Sequence, residues 1–522
     1  MRKIKVLNIG AIDLFDKQIN RHDVAFRFIS VNDTELIKDK DTQEIYFDKP
    51  VGKKVILPDY ILLSHLDFQL DKSFEILDTI LNQTVKNYII LYDSLTVTNS
   101  IIVERLKQYE VIGIAVKDSA SFIEYLLKFF FTGQEGSKLS VDNTVSHSEN
   151  SESVLVNGHV SVDFQLTDTQ NFRQLHSWRY NYVFQKNKII EIWLEYESDD
   201  FIEVMLYLSR ISQDGQNIKQ VIEIKGKELQ NPYVLSDFDA GDFLFCSVCA
   251  KGVGKLKIGQ LHIRRSRGEF GTFFVKGKRI VDHKKQEIMT YFNPGDRKPP
   301  LNVYFSGYRS AEGFEGNFMM QDLGAPYLLI TDPRIEGGGF YLGNEQLENG
   351  IIQSIKDTLS SLNFAENELI LSGLSMGTFG ALYYAADLKP HAVVVGKPLV
   401  NIGNVALNEH TIRPGGFPTS LDVLYNTEGG NDKDAAEKLN ERFWTKFKNT
   451  DFRNTKFSVA YMKNDDYDLT ALNDIRNLFK NDETMVLSKG FVGRHNDNSY
   501  AINMWFIKQY KNILKNDFRR KD

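Results

Sequence analysis

Apolar residues in the first 132 positions fall in short runs, Ile4–Ile9, Tyr60–Leu63, Tyr88–Leu91 and Val111–Val116. Stretches of helical periodicity follow, such as Phe122-Ile123 and Tyr125-Leu126-Leu127. Short buried runs alternating with helices predict a Rossmann-like α/β unit over 1–132. No G-x-G-x-x-G follows its first strand, which leaves a dinucleotide site unsupported and favours a scaffold or docking role. Residues 133–153 are polar and lack aromatics, from Gly133-Gln134-Glu135-Gly136-Ser137 to Ser148-Glu149-Asn150-Ser151. That composition predicts a linker. Between 154 and 285 the pattern becomes strand-like alternation, as in Ile190–Tyr196 and Val221–Ile224, broken by Gly, Asn and Asp turns. A β-sandwich is predicted there. From 286 to 522 buried-strand runs return at Leu301–Phe305, Tyr327–Ile330, Glu368–Leu371, Ala392–Val395 and Phe457–Met462, alternating with helices. This order predicts a doubly wound parallel sheet.

The 522 residues suffice for about three folded units at roughly 150 residues each. With 42% hydrophobic and 25% charged residues, the chain is neither largely disordered nor fibrous. A formal charge of -6 supplies no basic field, so nucleic acid is not expected as a partner. No stretch approaches about 18 uninterrupted apolar residues, and no transmembrane segment is expected. Asp13 and Asp16 end the N-terminal apolar stretch before it could act as a signal h-region. Cys246 and Cys249, the two cysteines, sit in a strand-like stretch and read as buried thiols, without the second pair that a closed zinc site wants. No metal and no cofactor are expected.

Aromatic residues in the strand-rich region carry a binding question. Trp178, Tyr180, Tyr182 and Phe184 share one face at period two, either as half of a core or as a stacking platform for sugar rings. Trp193 shares its strand face with Glu191 and Glu195, which predicts either edge packing or an exposed aromatic that stacks on carbohydrate. Trp178 and Trp193 are therefore the candidate carbohydrate-binding residues.

The chemistry lies in the last third. Gly373-Leu374-Ser375-Met376-Gly377 matches the G-x-S-x-G nucleophile elbow, follows a strand and opens a helix. Gly377, Gly380 and Ala381 put small residues where that helix must pack against its own sheet. Serine needs a base, and in this architecture an acid and then a histidine follow it in the chain. Of His391, His410 and His495, the first begins a strand and the second precedes the last predicted strand. His495, in the loop before the final helix predicted over about 498–515, is the candidate base. Asp465, Asp466 and Asp468 all follow the Phe457–Met462 strand; Asp465 comes first and is preferred as the orienting acid on spacing. The backbone N–H groups of Met376 and Tyr308 are the candidate oxyanion donors, with Ser306-Gly307 standing where esterases carry His-Gly.

The elbow, the Asp465 loop, His495 and the two preceding units resemble, across essentially the whole chain, the second accessory secretory protein of the Gram-positive accessory Sec system. That family is similar to α/β-hydrolase acetyltransferases acting on N-acetylglucosamine of serine-rich repeat adhesins. The resemblance implies Ser375 as nucleophile, Asp465 as acid and His495 as base. It further implies sibling accessory secretory proteins, the dedicated accessory translocase motor and the glycosylated adhesin as partners, in the cytoplasm or peripherally at the inner face of the membrane. Glutamate is expected at the family's acid position, and Asp465 is shorter by a methylene, so Asp466 stays open as a competitor. The reading is thus a Ser-His-Asp O-acetyltransferase whose acetyl donor no motif specifies. Its rivals are a carboxylesterase or deacetylase of the same fold and a non-catalytic export scaffold.

Overall fold

The computed structural model describes residues 3–15, 24–31, 47–51, 54–67, 70–81, 89–147, 149, 151–412, 420–480 and 483–520. They fall into two compact units, one made of 1–131 with 295–297 and one made of 132–294 with 298–522. Among the described residues no helix is long and apolar enough to cross a membrane.

In the first unit, strands Val24–Ser30, Ile4–Gly10, Tyr60–Ser64, Ile89–Asp93 and Ile112–Ile114 lie side by side in that order, all parallel. The expected runs seed these strands, with Tyr88 outside the described residues. Helices Leu70–Leu81 and Ser100–Gln108 bury Ile76, Leu77, Ile102 and Leu106 in the same core as Leu7, Ile9, Ile61 and Leu63. Every strand of a parallel sheet covered by helices must be apolar on both faces, which is why Tyr60–Ser64 is buried at all five positions.

The second unit begins with one ten-stranded antiparallel sheet rather than two separate sheets. Its spine is the 23-residue strand Phe243–Arg265. Along one edge it pairs with Ser161–Trp178; along the other it pairs first with Ile202–Ile211 and then with Ile190–Ser198. At the changeover Gly252 has φ 112°, and a Cβ there would stand 1.9 Å from the Phe201 carbonyl oxygen, so only glycine lets the partner strand pass. Leu206, Leu244 and Val248 from one half meet Ile192, Leu194 and Ile258 from the other in a single core. Cys246 and Cys249 are buried, unpaired thiols of the spine, as expected; burial pushes the Cys249 thiol up to about 11.

The linker expected over 133–153 is instead part of this sheet. Gly136–Leu139 pairs with the spine and Thr144–Ser146 with Ser161–Trp178. Polar composition misled because both are short edge strands whose partners lie far away in sequence. Residues 148 and 150 lie outside the described residues.

The remainder of this unit is a mostly parallel sheet of eight strands. In spatial order they are Lys278–Val281, Glu287–Asn293, Tyr327–Thr331, Leu301–Phe305, Leu369–Leu374, Ala392–Gly396, Lys456–Met462 and Val486–Phe491. The last six are parallel, while the first two are antiparallel additions that start the sheet ahead of the expected boundary at 286. Alternate residues feed two cores. Val303, Phe305, Leu371 and Val393 pack on helices Glu345–Leu362, Met376–Leu388 and Lys433–Lys448, while Tyr304, Ile370 and Val394 pack on Ser499–Asn516. The chain leaves Leu301–Phe305 for a neighbour on one side and returns on the other. The carboxyl ends of Leu301–Phe305 and Leu369–Leu374 therefore flank a topological switch point, where open α/β sheets bind ligands.

Candidate functional site

Ser375 stands at that switch point, between strand Leu369–Leu374 and helix Met376–Leu388, with φ 52° and ψ -121°. So sharp a turn needs neighbours without side chains. A Cβ on Gly373 would meet the Gly377 carbonyl oxygen at 2.2 Å, and one on Gly377 would meet the Phe305 carbonyl oxygen at 2.0 Å. The Ser375 N–H donates to the Gly396 carbonyl at 2.9 Å, which ties the strained residue to the adjacent strand. Gly380 lies against Phe305 and Tyr341, the close packing expected of the small residues in this helix.

The Ser375 hydroxyl is 2.8 Å from His495 Nε2, and His495 Nδ1 is 3.0 Å from Asp465 Oδ2 and 3.2 Å from Oδ1. The imidazole is 1% exposed, with the Tyr467 ring 4.2 Å from it between centroids. An ionised Asp465 can only accept, so Nδ1 carries the proton and the Nε2 lone pair faces the serine hydroxyl. Asp465 Oδ1 also accepts from the N–H groups of Tyr467 at 2.9 Å and Asp468 at 3.3 Å, which fixes the carboxylate plane. Its loop is joined to the histidine loop by Asn464 N–H donating to the Gly493 carbonyl at 3.2 Å.

The three adjacent acids have separate tasks. Asp466 Oδ1 accepts from the backbone N–H of His495 at 3.0 Å, so it holds the loop and leaves the ring to Asp465. Asp468 accepts from the N–H groups of Val400 and Asn401, each at 2.8 Å. Of the other histidines, His391 is 2.8 Å from Asp517, and the side chain of His410 lies outside the described residues.

Met376 is the first residue of its helix, so its N–H has no intrahelical acceptor. The loop carrying Tyr308 leaves the neighbouring strand at Phe305 and runs against the elbow. A Cβ on Gly307 would lie 3.3 Å from the Leu374 carbonyl oxygen. Gly307 N–H itself donates to Glu315 Oε2 at 2.7 Å, and the Tyr308 ring covers Gly337. Arg309, which sequence leaves open to an anionic substrate, donates from Nη1 to the Phe314 carbonyl at 2.7 Å and braces its own loop.

Neither tryptophan faces solvent. Trp178 is 2% exposed and belongs to the core of the antiparallel sheet, beside the buried His176 ring. The period-two face breaks up, because Ser161–Trp178 ends at Trp178 and Tyr180 is exposed while Phe184 is buried. Trp193 is 3% exposed, donates from Nε1 to the Lys285 carbonyl at 2.8 Å, and has the Arg279 guanidinium 4.1 Å from its ring centroid. Glu191 and Glu195 on the same face are buried too. The strand is covered on both sides, so glutamates there mark a buried polar seam rather than solvent. Trp193→Ala is expected to cost about 3–5 kcal/mol and lower the melting temperature by several degrees, the loss that follows from emptying a core position. An unchanged melting temperature would restore the sugar-facing role.

Sequence reasoning missed Lys397 and Tyr467. Lys397 follows Ala392–Gly396 with φ 61°, and its Nζ is 3.0 Å from Ser499 Oγ. Burial pulls its ammonium below the usual lysine range, against the opposing pull of Asp465 and Asp497. Its one sequence signal is its place at the end of the strand beside the elbow. Among the described residues no group of three His, Cys, Asp or Glu side chains is placed to hold a metal ion.

Comparison with known proteins adds three kinds of match to this geometry. Residues 4–520 match the family described as "Accessory Sec system GspB-transporter", that of the second accessory secretory protein. The chain is 43% identical over 395 residues to the member of that name, an accessory Sec system protein, from Staphylococcus aureus (strain NCTC 8325 / PS 47), covering 75% of each. It is 43% identical over 418 residues to the Streptococcus gordonii protein of the same name, covering 80% of this chain and 82% of the relative. A chain in the solved Glycosylation Associate Protein (Gap123) complex from Streptococcus agalactiae is 34% identical, with a TM-score of 0.84 over 100% of this chain and 99% of that one.

Proposed function

The chain belongs to the family of the second accessory secretory protein of the accessory Sec system, and from that premise we propose that it is a serine-dependent O-acetyltransferase. The acceptor in this reading is N-acetylglucosamine on a serine-rich repeat adhesin. The modification takes place in the cytoplasm, before the accessory translocase motor exports the adhesin. The observation that carries the enzyme part is the hydrogen-bonded line from the Ser375 hydroxyl through His495 to Asp465. Sibling accessory secretory proteins are the proposed partners, supported by the 34%-identical relative having been solved within a complex.

In the reaction His495 Nε2 takes the hydroxyl proton as Ser375 Oγ attacks the acetyl carbonyl of the donor. Negative charge collects on the carbonyl oxygen, for which the N–H groups of Met376 and Tyr308 serve as donors in this reading. Collapse expels the donor's leaving group, which takes the proton from His495, and leaves acetyl-Ser375. A sugar hydroxyl then gives its proton to His495 and attacks the ester. Collapse of the second tetrahedral intermediate returns that proton to Ser375 and releases the acetylated sugar. Asp465 keeps the imidazole in the required tautomer and stabilises the imidazolium in both halves. An esterase shares every step but the last acceptor, where water replaces the sugar.

A fluorophosphonate probe tests the nucleophile. One equivalent is expected to add to Ser375, read by intact mass and peptide mapping, and added N-acetylglucosamine acceptor is expected to speed the loss of acetyl groups from the acylated enzyme. No adduct on the folded protein would leave a non-catalytic scaffold as the reading. An adduct with no response to the sugar would leave an esterase.

A further inference from the structure

The loop that offers Tyr308 is held from outside the eight-stranded sheet. Ser306 and Gly307 are set by internal bonds. The Ser306 carbonyl accepts from Tyr341 Oη at 2.6 Å, Ser306 Oγ accepts from Glu315 N–H at 3.1 Å, and Gly307 N–H donates to the same glutamate. The outer turn, residues 312–314, has different anchors. Glu312 is fully covered, and its carboxylate bonds His262 Nδ1 with one oxygen and Arg264 Nε at 2.5 Å with the other. Both side chains belong to the spine strand Phe243–Arg265 of the antiparallel sheet. Two residues on, the backbone of Phe314 is clamped by Gln134, whose Oε1 accepts its N–H at 2.6 Å and whose Nε2 donates to its carbonyl at 3.0 Å.

These anchors belong to a longer buried chain of charge. His262 Nε2 lies 3.1 Å from Glu195, Arg264 Nη2 bonds Glu287, and Glu287 accepts from Arg279 Nε at 2.6 Å. Glu312 and Glu195 sit on the two ring nitrogens of His262, and both nitrogens donate only when the ring carries a positive charge. Burial opposes an imidazolium, and Glu312 and Glu195 outweigh burial to raise the affinity of His262 for its proton. A buried ionic chain is costly to assemble and is weak evidence for stability as such. Rigid placement of whatever it grips is what it does supply, and what it grips here is the loop beside the nucleophile.

We propose that the antiparallel sheet sets the oxyanion loop, with Glu312, held by His262 and Arg264, as the positioning residue for the Tyr308 N–H. The inference rests on the serine-acyltransferase reading. A loop displaced by a fraction of an ångström loses its fit to the tetrahedral oxyanion more than to the ground-state carbonyl.

Glu312→Gln in the full chain, with p-nitrophenyl acetate as probe substrate, is expected to lower kcat about 10- to 100-fold while KM stays within about twofold. That is part of the roughly 10²–10³ lost when an oxyanion donor is removed outright. Labelling of Ser375 by a fluorophosphonate, whose phosphoryl oxygen occupies the same position, is expected to slow in parallel. Glu191→Gln is the control. It is buried on the same seam, its carboxylate accepting from Ser266 Oγ at 3.0 Å, and it acts on Arg264 through charge alone, with no hydrogen bond to Glu312 or the loop among the described residues; kcat is expected to stay within about twofold. If Glu312→Gln fails to fold, Gln134→Ala releases the Phe314 clamp alone and is expected to lower kcat severalfold at constant KM. Wild-type kcat in a folded Glu312→Gln or Gln134→Ala variant overturns the proposal, as does an equal loss in Glu191→Gln. Those results leave the serine reading intact, whereas a wild-type protein that neither turns over nor takes the label ends both.

Discussion

Ser375→Ala is expected to reduce acetylation of the adhesin glycan to background while the protein keeps its fold and its assembly with partner proteins. Removal of the nucleophile from a serine triad lowers turnover by roughly 10⁶-fold, because the remaining groups have no atom on which to place the acyl group. The elbow itself does not depend on the hydroxyl. Its shape comes from Gly373 and Gly377 and from the Ser375 N–H bond to Gly396, all of which alanine keeps. A methyl side chain at φ 52° carries no more strain than the serine does. The measurement is the acetyl content of adhesin glycan made beside wild-type and variant protein, read by mass spectrometry, with a melting curve to show that the variant is folded. Undiminished acetylation would end the enzyme reading. Adhesin export is read in the same cells, and some is expected to persist, because residues 1–285 contribute none of Ser375, His495 and Asp465.

How far the sequence announced this site depends on the range over which each signal acts. The elbow is local: five consecutive residues between a strand and a helix specify a turn that their glycines permit, and Ser375 is legible from the motif in that context. His495 and Asp465 were legible because strand order in a doubly wound sheet puts the loops after the Phe457–Met462 run and before the last helix at the same end as the elbow. Spacing preferred Asp465 and left Asp466 open, since spacing does not reveal that one carboxylate reaches the ring and the other the backbone N–H. The antiparallel sheet was legible as strands and illegible as an arrangement. Trp193 with Glu191 and Glu195 has the alternation of a half-exposed strand, but Arg279, His262 and Lys285 cover that face from positions roughly 70 to 90 residues away. A longer separation, roughly 120 to 130 residues, hid Gly136–Leu139, which looks like linker until the spine strand is beside it.

Asp465→Asn is expected to lower turnover by about 10⁴-fold, the loss that follows when the orienting carboxylate of a serine triad becomes an amide. The structure gives a reason specific to this loop. Asp465 Oδ1 accepts two backbone N–H groups, from Tyr467 and Asp468, so an asparagine must keep its oxygen there. Its NH2 group is then forced into the place of Oδ2, 3.0 Å from His495 Nδ1. A donor facing Nδ1 makes Nδ1 the acceptor and moves the proton to Nε2, where it points at the Ser375 hydroxyl and cannot receive the serine proton. Asp466→Asn lacks this effect. Its side-chain oxygen still accepts the His495 N–H, and a weakened hydrogen bond of about 1 kcal/mol costs less than tenfold. Steady-state kinetics of the two variants, with crystallography or NMR to follow the imidazole tautomer in Asp465→Asn, separates the roles. The opposite ranking would move the acid to Asp466. If neither substitution slows turnover, and His495→Ala still forms and resolves the acyl-enzyme, His495 is not the base and proton transfer runs through another group.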